Sequence, residues 1–357
     1  GQRIARLSLC TQTERLLPLR GFASDCRSLS GISAMVRKTG QKGDSSMWKY
    51  ILKRCLALIF VFIAAAFVIF TILYFTPGDP AQYLLGDDAT AVERDLLRES
   101  LGLNDPYFVQ LGKFYLQLFQ GDLGTSWTYK VPVIQELLIR LPRTITINLG
   151  AMILNVIVGI LLGICAAKNA GKWQDNTILV ATMVLISAPG FWVMLLLIIL
   201  FSVKLNWLPS FGIGSWKCYI LPIIGSTLCV IANNARQMRS SILGVVRADY
   251  ITTARAKGQT EKIITRRHML PNAMMPVITV LGGALAGVVA GSAITESVFS
   301  IPGVGLYLIN GISARDYPIV RGCVVFFALF TSVVMLITDL VYAFIDPRIK
   351  AQYEKKV

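Results

Sequence analysis

The sequence predicts an all-α integral membrane protein with about six transmembrane helices, and three observations support this fold class. Hydrophobic residues make up 54% of the 357 residues and charged residues 15%, with a mean hydropathy of +0.61. Such a chain is too apolar for an ordinary soluble protein. Apolar runs long enough to cross a bilayer recur along it, and its net charge of +15 lies mainly in the amino-terminal tail and between those runs.

The same distribution of charge and reactive residues excludes several classes of function. Positive charge beside apolar runs fits membrane topology, so no nucleic-acid partner is predicted. The seven cysteines are dispersed without a CxxC motif, and His268 is the only histidine, which argues against a zinc site and a catalytic triad. Ala170-Gly171-Lys172-Trp173 lacks the flanking residues of a phosphate-binding loop. We therefore predict no catalytic, metal-binding or cofactor-binding residue in this chain.

The amino-terminal tail, residues 1–46, is basic, rich in serine and poor in acids. It has no apolar run that could span a membrane, and we expect it to be disordered. Met47-Trp48-Lys49 resembles a natural start, so the tail is either a functional arm or an over-extended start that is not native. The first membrane helix is expected within residues 47–75, with its basic beginning on the cytoplasmic side.

Residues 76–142 are expected to form a folded extracytoplasmic loop domain, because a connection of this length rarely lacks structure. Residues 92–101 have the periodicity of a short amphipathic helix. An aromatic stripe over residues 108–119 predicts a second helix, packed against the mouth of the membrane domain rather than forming a ligand site.

Residues 143–346 are expected to form the main transmembrane domain, and a carboxy-terminal tail, 347–357, follows it. Five spans are predicted there, at 145–167, 178–203, 219–235, 273–293 and 319–345. Glycines at four-residue spacing in the first and fourth of these allow close helix contact, within the bundle or with a second subunit. These glycines are Gly159, Gly163, Gly283, Gly287 and Gly291.

Three residues are candidates for a pathway or a gate. Pro189 interrupts its span and either exposes backbone carbonyls to a pathway or is a packing kink. Glu296 either guides a cationic group of a substrate or, as we favour, pairs with Arg315. Asp339 lies seven residues before Asp346, so both acids share a helical face and either contribute to gating or have a structural role.

A basic segment, residues 236–271, separates two predicted spans and is too charged to enter a bilayer. It contains eight arginine and lysine residues and only two acids. Ile251, Ala254 and Gly258 recur at helical spacing and form a stripe of mainly small residues that a partner could approach closely. The alternative is a solvated loop held near anionic lipid headgroups.

The spacing within this basic segment resembles a known family. Thr252-Thr253-Ala254 is followed after three residues by Gly258, and after nine more by His268-Met269-Leu270-Pro271. This resembles the cytoplasmic loop of permease subunits of ATP-binding-cassette (ABC) importers, which is usually Glu-Ala-Ala, three residues, Gly, nine residues and Ile-x-Leu-Pro. The first two residues and His268 depart from that form, and peptide-type permeases often carry threonine there.

Other motifs are similar to one group within that family. FTPGDP, LGLNDP, GDLGTSW and PVIQELLIRLPRTITINLGA resemble segments of dipeptide, oligopeptide and nickel permeases, and the chain is most similar to the first of the two permeases in such systems. The resemblance extends over about residues 47–350. It implies a type I ABC importer permease fold in a bacterial inner membrane, with both termini cytoplasmic.

The resemblance also implies partners and site residues. It implies a second permease subunit, two cytoplasmic ATPase subunits that carry the ATP and magnesium, an extracytoplasmic substrate-binding protein and the surrounding lipid. The residues implied to couple this chain to the ATPases are Thr252, Thr253, Ala254, Arg255, Lys257, Gly258, Leu270 and Pro271. The cargo is expected to be a dipeptide or oligopeptide, with nickel, opines or glutathione as alternatives.

Functions of other classes are also compatible with a polytopic membrane protein. A secondary transporter or channel would work without ATP, and it predicts a chain of acids within the membrane, for which Asp339 is the only support. A membrane-embedded enzyme would need paired catalytic residues, and the predicted spans contain none.

Overall fold

The computed structural model describes residues 54–86, 88–277 and 292–345, with side chains up to residue 338. Residues 57–342 form one compact unit. Within the described residues, all regular structure is helical. This confirms the predicted all-α class. The predicted disordered tail, residues 1–46, lies outside the described residues.

The helices are, in chain order, α1 (Arg54–Phe75), α2 (Pro80–Leu85), α3 (Ala91–Ser100), α4 (Tyr107–Phe119), α5 (Val133–Lys168), α6 (Trp173–Ser187), α7 (Gly190–Leu197), α8 (Ile220–Val246), α9 (Asp249–Ala256), α10 (Glu261–Ile264), α11 (270–277), α12 (Ala293–Val298), α13 (Val304–Ser313) and α14 (Tyr317–Ile345). A π-helical stretch, Ile198–Lys204, continues α7, a 3₁₀ turn, Trp216–Tyr219, leads into α8, and a second π-helical stretch, Thr265–Met269, links α10 to α11.

Four of the described helical segments are long and apolar enough to cross a membrane: Arg54–Phe75, Val133–Lys168, Trp216–Val246 and Tyr317–Thr338. The pair α6 and α7 qualifies as a fifth if it is one broken span, and it is bent by 105°. The predicted span 273–293 lies largely outside the described residues, as do Gly283, Gly287 and Gly291.

The break between α6 and α7 is sharper than the kink that the sequence suggested at Pro189. The span predicted over 178–203 is instead two helices, one ending at Ser187 and the other beginning at Gly190. Ala188 has an extended backbone, with φ −82° and ψ 134°, because the residue before a proline is sterically driven out of the helical region. Pro189 itself is exposed.

Helix α5 begins at Val133, twelve residues before the predicted start of its span at 145, and it contains Pro142. Pro142 lacks the N–H that would donate to the carbonyl one turn earlier. In the preceding turn, Arg140 and Glu136 form an ion pair at 2.7 Å. The predicted boundary at residue 143 therefore falls inside a continuous helix.

Helices α5 and α8 pack closely through the two glycines predicted to allow helix contact. An added Cβ atom at Gly163 would lie 2.5 Å from the Cβ of Met238 and 2.8 Å from the carbonyl oxygen of Ala235. At Gly159 it would lie 3.1 Å from the Cβ of Asn234. The missing side chains let the backbones approach, so that van der Waals contact replaces lipid contact along this seam.

The segment between α1 and α5 contains the three helices α2, α3 and α4. A capping box joins Thr90 and Glu93 at the start of α3, because each side chain bonds the other's backbone N–H. On α4, Phe114 and Leu118 are buried against Ala66 and Phe70 of α1. The α4 side chains Phe108, Leu116 and Phe119 are exposed.

Helix α4 runs alongside α1 rather than over its end. The hydroxyl groups of Thr71 and Tyr107 share a hydrogen bond of 2.8 Å, and two turns further along α4 the Tyr115 hydroxyl donates to the carbonyl oxygen of Ile63 at 2.9 Å. Ile63 lies near the middle of α1. Only part of the aromatic stripe, including Phe114, Tyr115 and Leu118, therefore packs along the side of α1.

Candidate coupling site

The basic segment 236–271 is mostly helical. Residues 236–246 extend α8, α9 and α10 follow as a short hairpin, and the π-helical stretch Thr265–Met269 leads into α11. The span predicted to end at Ala235 therefore continues to Val246 without a break. This continuity connects α8 directly to the hairpin α9–α10.

The hairpin has a hydrophobic core of its own. Ile251 and Ala254 of α9 are buried against Ile264 and Met269, and Ile251 has no exposed surface. The expectation that Ile251 and Ala254 offer a contact stripe to a partner is therefore wrong, since these two residues hold α9 against the hairpin's second arm. Burial of their apolar atoms stabilises the hairpin as a unit.

All residues of α9 other than Ile251 and Ala254 are exposed, as is the turn that follows the helix. Tyr250, Thr253 and Lys257 follow one another at helical spacing on one face, and all three are exposed. Thr252, Arg255 and Gly258 are exposed as well. We call Tyr250, Thr253 and Lys257 the α9 outer face. A protein that docks on this hairpin would meet these residues.

Gly258 closes α9 in a conformation that favours glycine. Its φ is +72°, and two backbone bonds across the turn, Gly258 N–H to Arg255 and Gln259 N–H to Ala254, satisfy carbonyls at the helix end. The space around it is open, with no atom within 4 Å of an added Cβ atom. The glycine is therefore required by its backbone angle and not by crowding.

Polar contacts join the two arms of the hairpin. Arg255 Nε donates to Glu261 at 2.7 Å, and this hydrogen bond raises the pKa of the Arg255 guanidinium above its usual value. A ring nitrogen of His268 bonds the side-chain oxygen of Gln259 at 3.0 Å. These exposed contacts are worth little individually, but they fix the relative orientation of the arms.

Leu270 and Pro271 lie where the hairpin leaves for α11. Pro271 is exposed and Leu270 is half-buried. Pro271 has no N–H that could bond the preceding turn. The π-helical stretch just before it ends with a hydrogen bond from the Leu270 N–H to the carbonyl oxygen of Thr265. The last motif of the family signature thus sits at a change in helical pitch.

A buried ion pair anchors α8 just before the hairpin. Arg239 of α8 donates to both carboxylate oxygens of Asp175 on α6, at 2.6 and 2.7 Å. The Gly171 N–H donates to the same carboxylate at 2.9 Å, and Asp175 is only 1% exposed. This two-point geometry resists rotation of one helix on the other, so a force on α8 is transmitted to α6.

Glu296 is fully buried in the described part of the chain and does not meet Arg315. Its carboxylate accepts hydrogen bonds from the Thr144 hydroxyl at 2.6 Å and from the Leu306 N–H at 2.9 Å. Arg315 instead donates to the carbonyl oxygen of Pro77. The predicted Glu296–Arg315 pair is therefore wrong. The carboxylate lies at the amino terminus of α13, where backbone N–H groups stabilise an anion.

Thr144 links α5 to this site in two directions. Its hydroxyl donates to Glu296 and accepts from the Val304 N–H at 2.9 Å. We expect Thr144→Val to lower the free energy of unfolding by about 1–3 kcal/mol, since valine keeps the shape but leaves two buried polar groups unpaired. SDS unfolding in mixed micelles measures this change.

Thr146→Val is the matched control for that substitution. Thr146 lies two residues after Thr144 on α5 and is exposed. Its hydroxyl donates only to the carbonyl oxygen of Pro142 in the same helix. We expect a change within about 0.5 kcal/mol. Equal losses in both variants would show that the hydrogen bonds of Thr144 contribute nothing beyond local helix effects.

Several structural residues escaped the sequence analysis. Asp316 is fully buried and accepts from the Ser126 hydroxyl and the Thr128 N–H, at 2.7 and 2.8 Å, and so ties the GDLGTSW motif to the start of α14. Its position two residues before Pro318 is a helix-start signal that was available. Asp175 and Arg239 had no such signal, because 64 residues separate them. The side chain of Asp339 lies outside the described side chains.

Comparison with protein families matches nearly the whole chain after residue 46. Residues 159–351 match the family described as binding-protein-dependent transport system inner membrane component. Residues 47–148 match the companion amino-terminal family of such membrane components. The first match contains the basic segment, and the second contains α1 to α4.

Curated relatives are similar over almost their full length. A glutathione transport system permease protein, GsiC, of Salmonella paratyphi A is 38% identical over 304 residues, which cover 85% of this chain and 99% of that protein. A dipeptide transport system permease protein, DppB, of Alkalihalophilus pseudofirmus is 36% identical over 332 residues, which cover 85% of this chain and all of that protein.

A solved structure has the same fold at much lower sequence identity. It is an inward-facing structure of the MetNI methionine ABC transporter, which matches with a TM-score of 0.51 and 17% identity. The match covers 60% of this chain and 97% of that one. The likeness supports the predicted type I importer permease fold.

Proposed function

This chain belongs to the family of binding-protein-dependent inner-membrane transport components and is a permease subunit of an ABC importer, and from that premise we propose that it carries dipeptides or oligopeptides. The relatives named for glutathione and dipeptide transport support this substrate class. Both cargoes are short peptides with free carboxylates. A nickel chelate or another small solute is the alternative within the same family.

We propose that the working complex contains this chain, a second permease subunit, two ATPase subunits and an extracytoplasmic substrate-binding protein. ATP and magnesium would bind the ATPases. The protein is a multi-pass protein of the bacterial inner membrane. We propose that both termini are cytoplasmic, since basic residues lie at the beginning of α1 and within the carboxy-terminal tail. The translocation pathway would lie between the two permeases.

The observation that carries the coupling role is the hairpin α9–α10. It holds itself together with its own core, it leaves the α9 outer face exposed, and it is continuous with α8 through only a two-residue turn. A rigid projection with a free face is suited to docking in a groove of another protein, because docking then costs little conformational entropy.

The mechanism that follows is transmission of a rigid-body movement. When ATP closes the two ATPases, the docked hairpin moves with them and displaces the cytoplasmic end of α8. The Arg239–Asp175 pair passes this displacement to α6, and the α5–α8 seam passes it to α5. The bundle would then alternate between inward-facing and outward-facing states as packed helices shift together.

Charge reversal on the α9 outer face tests the coupling. We expect Lys257→Glu together with Thr253→Glu to release the ATPases from the purified complex and to abolish substrate-stimulated ATP hydrolysis, since both positions are exposed and only docking should respond. Copurification and ATPase assays in nanodiscs measure the two effects. Ala254 is unsuitable, because its substitution would disrupt the hairpin core itself.

Lys172→Glu is the matched control, because Lys172 is exposed and belongs to the connection between α5 and α6, which is not part of the hairpin. It should leave ATPase binding unchanged. If the hairpin variant keeps its ATPases while remaining folded, the coupling role is wrong. Uptake by this chain alone, in liposomes without ATP, would contradict the importer function and favour a secondary transporter.

The cargo requires a separate measurement. We expect the reconstituted complex, with its binding protein, to accumulate labelled dipeptides in an ATP-dependent manner. Nickel and glutathione are tested in parallel, and uptake of nickel without uptake of peptides would move the chain to the metal branch of the family.

A further inference from the structure

A polar cavity lies among α1, the segment α2 to α4 and the start of α14, away from the basic segment. Its volume is about 630 Å³, which is in the range of small-molecule sites. Side chains from α1, α3, α4 and α14 line it, with aromatic rings on several sides and six charged residues. The charged residues are Asp79, Arg98, Glu99, Asp105, Lys113 and Arg321.

Four of the six charges are paired with each other. Lys113 contacts Asp105 at 2.6 Å, and Arg98 lies 3.6 Å from Asp79. Arg321 and Glu99 form no ion pair with any residue that the structure describes. The cavity therefore contains one cation and one anion that lack an ion-pair partner among the described residues.

Arg321 occupies an unusual environment for a cation. Its guanidinium carbon lies 5.6 Å from the Phe70 ring centre and 5.2 Å from that of Phe114. Its Nε donates a long bond of 3.4 Å to the carbonyl of Tyr317 in its own helix. Aromatic faces and one weak hydrogen bond do not replace a carboxylate partner. The guanidinium keeps donors available in a planar arrangement that matches a carboxylate.

Glu99 provides the unpaired anion of the cavity lining. It lies in the last turn of α3 and is exposed, whereas Arg321 is partly buried beside the buried ring of Phe114. A ligand with a carboxylate at one end and an ammonium group at the other would satisfy both charges. Gln110 and Gln117 also line the cavity and provide neutral hydrogen-bonding groups.

We propose that this cavity is a binding site for a small zwitterion, namely a free amino acid or short peptide, whose carboxylate binds Arg321 and whose ammonium group faces Glu99. The site lies in the segment between the first two membrane helices and at the start of the last. None of the residues that line it belongs to the basic segment 236–271. The proposal does not depend on the cargo of the importer, because binding is measured without transport.

Calorimetry on the purified permease complex in nanodiscs tests the site with three probes: dialanine, N-acetyl-dialanine and dialaninamide. We expect dialanine to bind, N-acetyl-dialanine to bind more weakly and dialaninamide to bind weakest, since it lacks the carboxylate. Arg321→Met should weaken dialanine binding at least tenfold, and Arg321→Lys by less. Glu99→Gln should weaken dialanine but not N-acetyl-dialanine.

Arg140→Met is the matched control. Arg140 also lies over an aromatic ring, 4.6 Å from the centre of Tyr307, but it does not line the cavity, so dialanine affinity should stay unchanged. Two results would overturn the proposal: no dialanine binding, or equal binding in the Arg321→Met variant. Mass spectrometry adds a third, a phospholipid retained by the original chain and lost from Arg321→Met, because a lipid headgroup would then be the occupant.

Discussion

Replacing Arg239 with methionine is expected to lower the free energy of unfolding by about 3–5 kcal/mol. The substitution removes the cation and leaves the Asp175 carboxylate, which is 1% exposed, with only the Gly171 N–H as a partner. Breaking one side of a buried ion pair is far more costly than removing both sides, because the remaining charge stays away from water. Unfolding by SDS in mixed micelles measures the change.

The two halves of this pair should behave differently. The Arg239 side chain is 24% exposed and that of Asp175 only 2%, so Asp175→Asn leaves a cation that still reaches water and should cost less than Arg239→Met. The double variant Asp175→Leu with Arg239→Met should recover most of the loss. A double variant as unstable as Arg239→Met alone would contradict this explanation.

An exposed ion pair in the same region provides the control. Arg255 and Glu261 contact at 2.7 Å, but their side chains are 42% and 66% exposed. Glu261→Gln should therefore change the free energy of unfolding by less than about 1 kcal/mol. Comparison of the two pairs separates the effect of burial from the effect of charge.

A side chain at Gly163 is expected to separate α5 from α8. Alanine at this position should cost about 1–3 kcal/mol, because its methyl group would meet the Cβ of Met238 at 2.5 Å and the Ala235 carbonyl at 2.8 Å. Neither atom is the movable end of a side chain. Gly163→Leu should cost more and should also reduce transport, since the seam that connects the two helices is forced apart.

Gly244→Ala should have the opposite sign. Gly244 lies within α8, and no atom comes within 4 Å of an added Cβ atom there. Alanine has the higher helix propensity, so the substitution should stabilise the protein by about 0.5–1 kcal/mol. Stabilisation by both substitutions would mean that the close approach at Gly163 is not required.

The sequence was most informative where the physical signal is local. Helix α3 was predicted within one residue at each end, because its leucine periodicity lies within ten residues, and Thr90 and Glu93 form a capping box there. The membrane class and the family followed from composition and from motifs that are contiguous in the chain. The comparisons confirm both conclusions.

The failures involve partners that are distant in the sequence. Helical spacing correctly placed Ile251 and Ala254 on one face, but it could not indicate that Ile264 and Met269 cover that face. Glu296 was assigned to the nearby Arg315, whereas its donor Thr144 is 152 residues away. Periodicity identifies a buried face or a costly charge, and the residue that satisfies it depends on tertiary packing.

The position of α4 is a second feature that the sequence alone did not predict. Residues 76–142 were expected to form an extracytoplasmic loop domain, with the aromatic stripe of α4 packed against the mouth of the membrane domain. One face of α4 contacts α1, a second lines the cavity and a third is exposed. A hydropathy value averages over all three faces. Only the structure separates the faces.

The contact between Tyr115 and Ile63 bears on how α1 is held in place. Ile63 lies twelve residues from the Phe75 end of α1, which at 1.5 Å per residue is about 18 Å along the helix axis, so α4 accompanies α1 along about half of its length. Its exposed Leu116 and Phe119 give this part of α4 an apolar outer surface. The segment between α1 and α5 therefore braces α1 from the side and does more than connect it to the next helix.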